Sequence, residues 1–129
     1  MTSMKAGDDM GVQTVHFVVD LNIPEGKLAA FEETAKAMVA GTQKEPGALG
    51  YEWYMSGDGK SCRLLETYAN AEAALAHCTG PVVRELVPKL LQSASVAGFE
   101  VYGDPGPQAA AMLAGFGAAM FEFRHGLGR

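Results

Sequence analysis

Residues 14–23, TVHFVVDLNI, alternate strictly. Val15, Phe17, Val19, Leu21 and Ile23 share one face, and His16, Val18, Asp20 and Asn22 share the other. A two-residue period with one wholly apolar face predicts a β-strand lying on a core. Pro24-Glu25-Gly26 then closes the strand and opens a helix over residues 25–42, with an acid in its first turn. Within it Leu28, Phe31, Ala35, Met38 and Val39 recur at helical spacing, and Glu32, Glu33 and Lys36 point outward. Gly41 and then Pro46-Gly47 mark the helix end and a turn. Residues 48–55, ALGYEWYM, predict an aromatic strand. The loop 56–60 carries the Asp-Gly hairpin signal, and residues 61–68, SCRLLETY, return as its partner. Asn70 is placed to cap a short helix with Glu72 in its first turn. Thr79-Gly80-Pro81 interrupts that helix. Val83, Leu86, Val87, Leu90 and Leu91 stripe a second helical piece, which Pro88 kinks. Residues 96–102 predict a fourth strand. Beyond the linker at 103–107, the tail reads as a short helix and then an apolar irregular or extended piece.

The order β-α-β-β-α-β is the ferredoxin-like α+β arrangement, a four-stranded antiparallel sheet with two helices on one face. The other face is open in a lone subunit and carries apolar and aromatic side chains. A face-to-face homodimer is the predicted cover. The chain divides into a polar lead over 1–12, the ferredoxin-like domain over 13–104 and a tail over 105–129. Phe116, Met120, Phe121 and Phe123 are expected to pack on the partner subunit or cap a pocket.

The totals narrow the function. A chain of 129 residues, 48% hydrophobic and 19% charged, suffices for one domain with a true core. The net charge of −5 with no basic run excludes a nucleic-acid surface. No stretch approaches the roughly 20 apolar residues of a membrane span. The acidic lead MTSMKAGDDMG does not resemble a secretion signal, so a cytoplasmic address is expected. Cys62 and Cys78 are then a reduced pair, and without a companion His/Cys spacing no metal site is expected. Dinucleotide, phosphate-loop and nucleophile-elbow motifs are absent.

The stretch Glu45–His77 holds the single tryptophan and three of the four tyrosines. Its Glu45-Pro46-Gly47-Ala48-Leu49-Gly50-Tyr51-Glu52 resembles the turn and strand of the antibiotic biosynthesis monooxygenase family. Leu65-Glu66-Thr67-Tyr68 followed by Ala73-Ala74-Leu75-Ala76-His77 is similar to that family's next segment, with Tyr68 where the family usually has tryptophan. The resemblance covers roughly residues 14–102. It implies a dimeric α+β barrel and, often, an oxygenase of quinols or polycyclic phenols that needs no cofactor. In the family's haem-degrading branch a tryptophan precedes an iron-binding histidine by ten residues. Here His77 and Val87 stand at those two positions, so the iron ligand is missing.

Oxygenation without a cofactor asks the protein to deprotonate an electron-rich substrate, hold the anion and exclude water. The implied partners are a small aromatic substrate and molecular oxygen. His77 is the best base on offer, and a helix-end histidine held by the helix dipole is the alternative. Glu66 lies in an apolar strand, where it orients His77, holds a substrate hydroxyl or makes a structural bond. Tyr51, Trp53 and Tyr68 are candidates to line a flat aromatic pocket, with core or interface packing as the competing role. His16 and Asn22 complete the candidate substrate contacts. The competing class is a non-catalytic ligand-binding or dimerisation module on the same fold.

Overall fold

The computed structural model describes residues 13–128. The proposed lead over 1–12 lies outside the described residues. β1 spans Val15–Asn22, and its alternation is realised: Val15, Phe17, Val19 and Leu21 are buried. β2 (Ala48–Met55) and β3 (Ser61–Tyr68) form the expected hairpin, and β4 spans Ser95–Tyr102. In β3 the inward set is Cys62, Leu64, Glu66 and Tyr68, so a carboxyl is carried into the core by the period of its strand.

α1 runs Leu28–Thr42, three residues later than the sequence reading placed its start. Gly26 adopts a φ of +82°, which an α-helix cannot contain, so Pro24–Lys27 is a turn and no acid lies in the first helical turn. α2 (Ala71–Thr79) starts where Asn70 caps it, the Asn70 side chain accepting from the Ala73 N–H at 2.9 Å. The expected kink is a wide π-helical stretch, Val82–Leu86, followed by α3 (Val87–Leu90), with Pro88 in the first turn of that new piece. Pro88 has no N–H to continue the earlier ladder, and the first turn is where its lack costs nothing.

One sheet results, ordered β2-β3-β1-β4-β5, with β2, β3, β1 and β4 antiparallel as in the ferredoxin-like fold. The fifth strand is a departure from the four expected. The tail forms α4 (Pro107–Gly115) and β5 (Ala119–Phe121), and β5 pairs in parallel with Glu100–Tyr102 of β4. An edge strand leaves amides unpaired, and this extended apolar segment covers the last three of the eight residues of that edge. Phe121 also stacks on Tyr102, with ring centroids 5.1 Å apart.

The inner sheet face carries two packed clusters. Val19, Leu21 and Leu64 meet Phe31 and Met38 of α1 and Leu90 of α3. Val15, Phe17 and Tyr68 meet Ala74 and Cys78 of α2 and Ala109 and Leu113 of α4. The outer face carries His16, Asp20, Arg63 and Thr67, where Arg63 pairs with Asp20 at 2.5 Å.

The turn into β2 touches α2 with no room to spare. A Cβ on Gly47 would lie 2.4 Å from the Cβ of Ala73. Gly47→Ala is therefore expected to lower stability by about 1–3 kcal/mol in chemical denaturation. The pair Gly47→Ala with Ala73→Gly should recover part of that loss, because the second change reopens the space. Equal stability of wild type and Gly47→Ala would contradict this packing.

Candidate active site

The close approach of Gly47 to Ala73 brings the turn before β2 against one face of α2. His77 lies one turn beyond Ala73 on that face, and Glu45 lies two residues before Gly47. His77 Nδ1 sits 2.8 Å from Glu45 Oε1. With Glu45 as a carboxylate, which only accepts, the Nδ1 proton is the donor. That bond leaves Nε2 as the free nitrogen of a neutral ring. Nε2 faces Glu66 Oε1 at 3.6 Å, too far for a hydrogen bond between them. Tyr68 lies two residues along β3 from Glu66, so both side chains stand on one face, and the Tyr68 hydroxyl donates to Glu66 Oε1 at 2.5 Å. His77 is 3% exposed and Glu66 5% exposed.

The four side chains form one chain of contacts, Glu45–His77–Glu66–Tyr68. It sits at the wall of a cavity of about 100 Å³ between sheet and helices. Glu66, His77 and Tyr51 face that cavity, and nearly all the rest of its lining is apolar. Burial drives the Glu66 carboxyl above its ordinary range; His77 and the Tyr68 hydrogen bond pull back only part of that rise. Tyr51 and Tyr68 are pushed upward too, first by burial and then by the Glu66 charge. Both phenols therefore keep their protons, and Tyr51 can donate toward an anion. Cys78 also lines the cavity, and burial raises its thiol to about 12, which rules out a resting thiolate nucleophile.

The remaining sequence candidates fall elsewhere. Trp53 does not line this cavity: it pairs one step along the hairpin, opposite Leu64, and packs edge-on against Phe31 at 5.8 Å. Tyr68 is fully buried behind the cavity wall, bonded to Glu66 and packed on the His77 and Phe17 rings at 5.1 Å each. His16 is on the outer face, where its Nδ1 lies 3.0 Å from the Thr67 hydroxyl. Asn22 is exposed at the end of β1. Strand alternation sets both apart from the cavity side chains. Among the described residues, no group of three His, Cys, Asp or Glu side chains is placed to hold a metal ion.

Glu45, Met112 and Leu113 were not among the residues singled out in the sequence, whereas Phe116 was a candidate pocket cap. Glu45 sits in a turn, where no periodicity assigns a face; its only signal was the Glu-Pro-Gly turn itself. The tail contributes Met112, Leu113 and Phe116 to the cavity wall.

A raised folded-state carboxyl value has a definite sign in stability. The folded chain holds the Glu66 proton more tightly than the unfolded chain. The associated stabilisation is complete below the ordinary value of 4.5 and is lost as pH rises through the folded value. Glu66→Gln keeps an acceptor for Tyr68 and removes the titration. Measured from pH 4.5 to 9, its melting temperature relative to wild type should therefore rise until the folded-state carboxyl has lost its proton and then level off. A constant difference across that range would contradict the burial of an ionisable Glu66.

Residues 14–89 match the family model described as antibiotic biosynthesis monooxygenase. The crystal structure of MupZ from Pseudomonas fluorescens superposes with a TM-score of 0.77 at 27% identity, covering 91% of this chain and 95% of that one. Coverage of that extent takes in the C-terminal extension as well as the matched domain. SnoaB from Streptomyces nogalater, described as a cofactor-independent oxygenase, superposes with a TM-score of 0.63 at 16% identity, covering 74% of this chain and 96% of that one. Rv0793 from Mycobacterium tuberculosis gives 0.64 at 22% identity, over 73% of this chain and 97% of that one. At those two identities the likeness is one of fold. None of the curated proteins matches the chain significantly in sequence. With the family model spanning more than half its length, and the sheet order of that fold realised, the chain belongs to the antibiotic biosynthesis monooxygenase family.

Proposed function

We propose that the chain is a cofactor-independent monooxygenase that oxidises a quinol or related phenol with molecular oxygen, using His77 as the base. The observation that carries this reading is the Glu45–His77 pair, which leaves Nε2 free beside Glu66 at an apolar cavity. Molecular oxygen is a triplet and reacts slowly with closed-shell molecules; an electron-rich anion supplies the first electron. His77 Nε2 takes the substrate hydroxyl or enol proton. The Tyr51 hydroxyl, and Glu66 in its protonated form, donate to the resulting oxyanion. The anion passes one electron to oxygen, the radical pair closes a carbon–oxygen bond, and protonation gives a hydroperoxide. On a CH₂ carbon, loss of water then leaves C=O. One oxygen atom stays on carbon, and the other departs with two substrate hydrogens. The dry cavity protects the anion from bulk water. Glu45 acts through His77 as a positioning residue.

The same reading includes a homodimer closed over the outer sheet face, supported by the half-buried Val18 and Leu65 beside the Arg63–Asp20 pair. The two buried free cysteines suit a reducing compartment such as the cytoplasm.

Oxygen consumption with methylhydroquinone and with anthrone tests the chemistry. Wild type is expected to turn over at least one of them, and His77→Ala to lose on the order of 10²–10⁴-fold in kcat. Glu45→Ala should lose on the order of tenfold or more and alter the pH profile, because the ring tautomer is no longer fixed. No uptake by wild type, or equal rates in wild type and His77→Ala, would leave the fold as a binding module.

A further inference from the structure

The cavity has a direction. Phe17, Val19 and Leu21 of β1 all line it, and Phe17 to Leu21 spans four strand steps, roughly 13 Å at about 3.3 Å per residue. The register fixes its ends. Phe17 pairs with Glu66, so the polar groups lie at that level. Leu21 pairs with Val96 on β4, so the far level is apolar. Val96 should point away from Phe99, since the two are an odd number of residues apart. An irregularity in the β1–β4 ladder inserts Ala97, because Asp20 pairs with Gly98 and Leu21 with Val96. That bulge turns Val96 inward, and both Val96 and Phe99 line the cavity.

The most exposed cavity side chains are Leu91, Val96 and Phe116, at 46%, 46% and 51% exposure. Val96 lies in the half of β4 that β5 leaves unpaired. Glu66 and His77 are thus deep, and the most exposed stretch of the wall is apolar. The volume is small, about 100 Å³. An apolar cavity of about 150 Å³ holds one benzene ring. Spread along those four strand steps, the smaller volume here makes a slender space, which suits an alkyl chain better than a fused polycycle.

We infer that the site takes a substrate with a hydroxyl-bearing head and a slender aliphatic chain, the head at His77 and Glu66 and the chain filling the neck past Leu21 to Val96. This rests on the proposed function only for the reactivity of the head. It replaces the flat aromatic slot suggested by the tryptophan and tyrosines with an aliphatic channel.

The test is calorimetric binding of 1-alkanols from butanol to decanol, which do not enter the oxygenation chemistry. Affinity is expected to rise roughly threefold to fourfold per added methylene, then level off once the chain reaches the mouth. Val96→Glu, at an exposed position, should weaken binding only of chains long enough to reach it and leave butanol unchanged. Anthrone should fail to displace bound octanol. A flat series, displacement by anthrone, or a Val96→Glu loss independent of chain length would each overturn the inference. A chain-length series that stands while oxygen uptake is absent removes the proposed reaction alone. Uptake with fused rings and no length dependence removes this inference alone.

Discussion

A buried carboxyl in the middle of a strand is the constraint around which this molecule is arranged. Period-two alternation carries Glu66 inward between Leu64 and Tyr68, and an unpartnered carboxyl there would cost several kcal/mol. Tyr68 supplies a donor from two residues along, and His77 supplies a ring from α2. His77 needs its own orientation, which Glu45 provides from the turn before β2. Glu45 reaches it only because Gly47 has no side chain to hold the turn off Ala73. The Glu-Pro-Gly turn and the helix face Ala73–His77 are thus two halves of one device.

The same arrangement separates charge from water. Glu66 and Tyr51 are displaced toward their protonated forms by burial, and both stand at the cavity wall beside His77. The tail deepens the enclosure: α4 joins the second core cluster through Ala109 and Leu113, and Phe116 stands at the mouth.

Much of this was legible in the residues. Strict alternation gave β1 and β3 their inward faces, the Asp-Gly loop gave the hairpin, and Asn70 gave the helix start. Those signals are local, and the local rule won at each. The failures have a common cause, which is dependence on distant contacts. Glu45 lies in a turn without a period, so only the packing of Gly47 on Ala73 reveals its partner. Val96 is turned inward by a bulge that exists only in the pairing of β1 with β4. Trp53 shares a face with Tyr51, but Phe31 from α1 occupies the space beside it. His16 and Asn22 were on the other face by the same alternation that buried Phe17. The fifth strand answers an open sheet edge, a property of the assembled sheet and not of the tail's own sequence.

At the centre of the site, His77 Nδ1 meets Glu45 Oε1 and Nε2 faces Glu66, an arrangement that favours the Nδ1–H tautomer whenever the ring is neutral. Long-range ¹H–¹⁵N correlation spectroscopy of His77 measures this directly. A single Nδ1–H tautomer is expected for the neutral ring in wild type, and a mixture of tautomers in Glu45→Ala. An Nε2–H tautomer in wild type, or the same spectrum in both proteins, would contradict it.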